Sequence, residues 1–213
     1  MTQFKMNQLT TATFDKIRNS FCTELDSSRG FDNNKEYILN DLPRKIIRES
    51  NDLLDSLENL LIVEKRELLD SQSIDAQLAY EKYGFRDFMQ GWKVNHSISI
   101  SKKDINVSTD PRKQNGYIAG GTMVTVGAIA IFFVFPGISL GSVLASVATL
   151  GAGYGAYKIA YNSSTEKAKE VFKKDITEFV EYNRIQTSDW LKSAEKAFNE
   201  EFNKFCTNNN INL

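Results

Sequence analysis

Apolar residues along this 213-residue chain change their rhythm several times. Leu9, Phe14, Ile17, Phe21 and Leu25 recur every three to five residues, the spacing of one helix face. Ser27-Ser28-Arg29-Gly30, continued by Asp32-Asn33-Asn34, reads as the loop that ends this helix. Asp41, two residues before Pro43, predicts a new helix with proline in its first turn. From there Leu42, Ile46, Ile47, Leu53, Leu54, Leu57, Leu60, Leu61, Leu68 and Leu69 predict one long amphipathic helix to about Asp70. A third helix carries Ile74, Leu78, Tyr83, Phe88, Met89 and Trp92, with a break near Gly84.

The period then drops to two. Val94, His96, Ile98 and Ile100 alternate with Asn95, Ser97 and Ser99. Ser101-Lys102-Lys103-Asp104 reads as a turn before Ile105 and Val107, so a small β-hairpin is predicted over 94–109. Helical spacing returns near the end. Ser163 and Glu166 have the separation of a capping box, in which the serine accepts a free amide and the glutamate reaches back. Ala168, Val171, Phe172, Ile176, Phe179, Val180, Trp190, Leu191, Ala194, Phe198, Phe202 and Phe205 predict a return helix over 163–206. Thr187-Ser188-Asp189 would cap a second helix if that stretch pauses.

Between these periodic regions lies a stretch with no charge. Residues 114–157, 44 in all, hold no Asp, Glu, Lys, Arg or His, although the chain has 26 Lys+Arg and 27 Asp+Glu. Nine of the 12 glycines fall there. Residues 117–135 and 138–157 form two apolar arms on either side of Pro136-Gly137. As a helix each arm would be about 28–30 Å long, close to the roughly 30 Å hydrocarbon core of a bilayer. Pro-Gly disfavours one continuous helix and supplies a reversal. Arg112-Lys113 precede the first arm, and Lys158, Lys167 and Lys169 follow the second. A hairpin with both flanks cytoplasmic satisfies the positive-inside rule.

The tip is the most apolar part: Ile131, Phe132, Phe133, Val134, Phe135, Pro136, Gly137, Ile138 and Leu140 are the expected membrane-insertion residues. Gly137, Gly141, Ala145 and Thr149 recur at spacing four, and Gly151 and Gly155 repeat the pattern. Small residues at that spacing let two helix backbones approach closely, so Gly137, Gly141, Ala145, Gly151 and Gly155 are the expected helix-packing positions. The competing reading buries the hairpin at the centre of a soluble α-protein, since a helix apolar on all sides also suits a core. Two arms of near-spanning length are hard to bury in 213 residues, which favours bilayer contact.

Composition removes other classes. The net charge is −1, and residues 1–113 carry 17 positive and 18 negative charges against nine of each in 158–213. So even a balance gives little support to nucleic-acid binding or to electrostatic steering. Cys22 and Cys206 form no metal-ligand spacing, and a reduced setting is expected rather than a bridge between them. The single histidine, His96, has no partner motif and is read as structural. No HExxH, GxSxG or phosphate-binding GxxxxGK[ST] pattern occurs, and Asp32-Asn33-Asn34-Lys35 lacks the second acidic residue of a guanine-reading loop, Tyr37 standing in its place. No enzymatic activity and no cofactor or metal are expected. Met1–Asn7 has no apolar stretch behind a basic one, so no secretory signal is expected there.

The order of these features resembles the membrane-facing trunk and paddle of bacterial dynamin-like proteins over residues 40–205. The likeness is carried by Gly120-Gly121, Phe135-Pro136-Gly137-Ile138, Gly141, the run Gly151-Ala152-Gly153-Tyr154-Gly155 and the return helix from Thr165. The GTPase domain of that family has no counterpart in this chain. The resemblance implies a detached membrane-binding module that tethers or remodels a bilayer, beside a separate GTPase or without one. The chain also resembles α-helical pore-forming toxins, in which amphipathic helices enclose an apolar hairpin, and this implies permeabilisation instead.

The expected fold is mainly α: an elongated helical bundle with a small β-hairpin and a central hydrophobic helical hairpin. It forms a single unit over 1–213, with amphipathic helices in 1–93, the β-hairpin in 94–109, the apolar hairpin in 114–161 and the return helix or helices in 163–206. Expected partners are a lipid bilayer and a second copy of the chain or other partner helices in coiled-coil contact, with no nucleic acid. The expected location is cytoplasmic and membrane-associated, both termini on the cytoplasmic side once the hairpin inserts.

Overall fold

A computed structural model describes residues 2–28, 30–100, 104–105, 107–108 and 164–211. These residues are mainly helical, in five helices: α1 (Thr2–Glu24), α2 (Phe31–Leu69), α3 (Ile74–Lys82), α4 (Phe85–Asn95) and α5 (Ser164–Asn208). At about 1.5 Å per residue, α2 is about 58 Å long and α5 about 68 Å.

The three long helices form one bundle, and paired residues fix their directions. Thr2 Oγ1 donates to Glu64, while Asn34 at the start of α2 reaches Leu25 beyond the end of α1, so α1 and α2 are antiparallel. Phe31 meets Phe172, Ser50 meets Thr187 and Lys65 lies over Phe202, so α2 and α5 run parallel. Lys173 of α5 pairs with Asp26, just past α1. The bundle therefore has a turn end, where α1 passes into α2 and α5 begins, and a cap end where α5 finishes.

Helix α2 begins earlier than its proline suggests. A continuous buried stripe runs Phe31, Asn34, Ile38, Leu42, Ile46, Ser50, Leu53, Leu57 and Leu61, the three-to-four spacing of a core face. Asp32, Asn33 and Asn34 thus belong to the first turn of α2, not to a loop, and Pro43 sits inside the helix. Proline there cannot donate to the carbonyl four residues back, a penalty of about 3 kcal/mol. Burial of the stripe on both sides offsets it, since each large apolar side chain contributes on the order of 1.5–3 kcal/mol.

Two polar members of the stripe are fully buried and bonded. Asn34 Nδ2 donates to the Leu25 and Ser27 carbonyls at 3.2 and 3.1 Å, and Ser27 Oγ donates to Asn34 Oδ1 at 3.1 Å. One side chain thereby satisfies carbonyls left open at the end of α1 and fixes the turn. Gly30 enters α2 with φ of 86°, a left-handed value that favours glycine. Ser50 Oγ lies 2.9 Å from Thr187 Oγ1 across the bundle. Thr187 is a core position of an unbroken α5, so the expected pause at 187–189 is absent.

The break near Gly84 is present. Gly84 takes φ 81° and ψ 38° between α3 and α4, and Ser73 caps α3 by accepting from the Ala76 amide. The core face of α3 carries Ala76 and Tyr80, whereas Ile74 and Leu78 are exposed. Tyr80, Tyr83 and Phe85 pack with Phe198, Phe202 and Phe205 of α5, ring centroids 4.6–6.1 Å apart, to close the cap end. Arg86 and Lys93 then fasten α4 to Glu58 and Asp55 of α2 at 3.2 and 2.8 Å.

The predicted β-hairpin over 94–109 is not found among the described residues, none of which is in a strand. Val94 and Asn95 close α4, His96 is in a turn, and residues 97–100 carry no regular structure. The period of two is nevertheless expressed as burial: Ile98 and Ile100 are buried while Ser97 and Ser99 are exposed. An extended chain lying on helices buries alternate residues just as a paired strand does.

Candidate functional site

The region of interest is the turn end, because both flanks of the charge-free stretch lie there. On the leading side, His96 and Ser108 meet α5 at two points whose order runs against its direction. The His96 carbonyl accepts from Trp190 Nε1 at 2.7 Å, and Ser108 meets Asp175 some four turns nearer the start of α5. On the trailing side, α5 begins at Ser164, and Lys169 and Lys173 reach Asp26 at 4.0 and 2.7 Å. The chain thus leaves and re-enters the described bundle at the same end.

Local contacts hold that end together. Phe31 and Phe172 meet edge to face with centroids 6.3 Å apart, and the Lys35 ammonium lies 5.8 and 5.1 Å from those two ring centres. The hydrogen bond to Asp26 raises the Lys173 ammonium above its ordinary range. Glu166, the partner in the expected capping box, pairs with Lys169 at 3.0 Å, and the capping box itself rests on Ser163, which lies outside the described residues.

Asp175 is the unusual group here. It is 6% exposed, and both its carboxylate oxygens are taken by one residue: Ser108 N donates to Oδ2 at 2.8 Å and Ser108 Oγ to Oδ1 at 2.6 Å. Burial raises its pKa, the two Ser108 bonds and Lys35 opposing that rise and Glu178 adding to it. Farther along, His96 stacks on Trp92 with ring centres 4.3 Å apart and its Nδ1 lies 2.9 Å from the Trp92 carbonyl oxygen. Its role in this arrangement is to join α4 to α5.

The expected insertion residues Ile131, Phe132, Phe133, Val134, Phe135, Pro136, Gly137, Ile138 and Leu140 lie outside the described residues. So do the expected packing positions Gly137, Gly141, Ala145, Gly151 and Gly155. Among the described residues, no helix is long and apolar enough to cross a membrane. Also among them, no group of His, Cys, Asp and Glu is arranged to hold a metal, and Cys22 and Cys206 are free thiols.

Sequence reasoning missed Asn34, Ser50, Asp175 and Thr187. For Asn34, Ser50 and Thr187 the available signal was a polar residue at a position where the helical stripe requires an apolar one. No family model, no curated protein and no solved structure matches this chain.

Proposed function

We propose that this protein binds lipid bilayers, inserting residues 114–157 as a helical hairpin led by Ile131–Leu140, and that the bundle then tethers or remodels the membrane. The observation that carries the reading is the pairing of 44 consecutive uncharged residues with flanks that meet at one end of a helical bundle. A hairpin needs its entry and exit on one side, whereas a single span would separate them. Each large apolar side chain entering the bilayer contributes on the order of 1.5–3 kcal/mol, so five or six at the tip suffice for anchoring. Thr122, Thr125, Ser139, Ser142 and Ser146 can bond to carbonyls of their own helix and do not oppose entry. The likeness to the dynamin-like trunk and paddle supports tethering or remodelling as the outcome.

Flotation of the full chain with liposomes is the test. Wild type is expected to rise with the vesicles, and Phe132→Asp with Phe135→Asp to stay in the dense fraction, since the leading tip must pass through the hydrocarbon core, where an aspartate costs about 3 kcal/mol. A wild type that stays in the dense fraction, or a double variant that floats equally well, overturns the reading. Clustering or tubulation of the vesicles without loss of contents is the expected consequence of binding. Release of a small dye at low protein-to-lipid ratio would instead assign permeabilisation.

A further inference from the structure

The middle of α5 holds a polar group that its own packing leaves unbonded. Asn183 is fully buried, and its Nδ2 donates to the Phe179 carbonyl one turn back at 2.8 Å. In an α-helix that carbonyl already accepts the Asn183 backbone amide, so the side chain adds a second bond to an oxygen in use. Oδ1 has no hydrogen-bond partner among the described residues, and no other buried side-chain oxygen or nitrogen among them is so placed. Asn34, Ser50, Asp175 and Thr187, buried to a similar degree, all reach partners outside their own helix.

The buried residues around Asn183 on α5 are mostly apolar: Ile176, Phe179, Val180 and Trp190. Leucine would complete that face, so asparagine makes the bundle less stable than its packing allows. The same oxygen regains its bonds as soon as water reaches it. Asn183 therefore favours every state in which α5 is lifted from its seat. Both flanks of the charge-free stretch also bear on α5, one through the bonds of His96 to Trp190 and of Ser108 to Asp175, the other as the start of α5 at Ser164.

We propose that Asn183 keeps the bundle poised to open, so that α5 leaves its seat against α1 and α2 when the protein binds a bilayer. This rests on the insertion of residues 114–157 proposed above, and adds the helix that responds to it. The Ser50–Thr187 pair and the aromatic cap oppose separation, so opening is rare in water. A stranded buried oxygen shifts that equilibrium towards opening by roughly five- to 150-fold.

Backbone hydrogen exchange over 176–190 of the full chain, with and without liposomes, tests the proposal, flotation being read on the same samples. Without lipid, Asn183→Leu is expected to slow exchange there roughly five- to 150-fold. With lipid, wild type is expected to lose protection over 176–190, while Asn183→Leu floats equally well and keeps it. Asn183→Val is measured beside it, because leucine can overfill a close-packed seat. The proposal is overturned, with insertion left standing, if neither variant slows exchange without lipid. It is overturned in the same way if wild type floats with its protection unchanged, or if both variants lose as much protection on vesicles as wild type. A wild type that does not float overturns insertion and this proposal together.

Discussion

The Ser50–Thr187 contact offers a direct test of how α2 and α5 are registered. Both residues are fully buried, their oxygens are 2.9 Å apart, and 137 positions separate them in sequence. Ser50→Ala leaves the Thr187 hydroxyl without its partner, and Thr187→Val does the same to Ser50. A buried polar group stranded in this way costs about 1–3 kcal/mol, whereas removing both partners with shape retained is close to neutral. The Thr187 hydroxyl can turn back towards a carbonyl one turn earlier in α5, which puts the Ser50→Ala loss near the lower figure. Each single variant is therefore expected to lose about 1–2 kcal/mol and the double variant less than the sum, a coupling of roughly 1 kcal/mol or more. For a chain of this size 1 kcal/mol moves the melting temperature by about 2–4 °C, well within reach of thermal or urea denaturation. Strictly additive losses would refute the register. So would a neutral Thr187→Val, because in this register it strands the buried Ser50 hydroxyl.

Other outcomes follow from the same packing. Pro43→Ala is expected to stabilise the bundle slightly: about 3 kcal/mol of helix-interior penalty is relieved, against about 1.6 kcal/mol of lost apolar burial and about 0.7 kcal/mol of regained unfolded-state freedom. A clear loss of stability in urea titration would show that α2 does not run through position 43. Burial is the leading cause of the raised Glu58 pKa, with Arg86 opposing, so Glu58 contributes more stability protonated than charged, and that contribution fades as the pH rises. Glu58→Gln is thus expected to raise the melting temperature at pH 7, with the gain shrinking as the pH falls through the Glu58 pKa. A gain that grows in acid would contradict the assignment.

The helical class and the break at Gly84 could be read from spacing alone, because Leu54, Leu57, Leu61, Phe198, Phe202 and Phe205 are apolar at core positions. Two errors share one cause. Asn34 in α2 and Thr187 in α5 are polar side chains at core positions, and each is satisfied by a partner remote in sequence or beyond a turn. Local propensity assigns such residues to loops and caps, and only tertiary pairing returns them to helix. Pro43 misled in the same direction, marking a helix start that the buried stripe from Phe31 to Leu42 overrides. The period of two reported burial correctly over Ser97–Ile100 but not the partner, since alternation cannot distinguish a neighbouring strand from a helical surface, and it failed at Val94, which is exposed on α4. Asp175 gave no signal, because one carboxylate among many surface charges looks the same in sequence whether exposed or enclosed.

The unbroken course of α5 has a mechanical meaning. A joint at Thr187 would let the two halves of the molecule move independently, whereas a single rod of about 68 Å carries rotation from one end to the other. A tilt of about 10° at the turn end swings the cap end by roughly 12 Å. The aromatic cluster of Tyr80, Phe85, Phe198 and Phe205 therefore sits at the far end of a lever, where small changes of angle beside the charge-free stretch become large displacements.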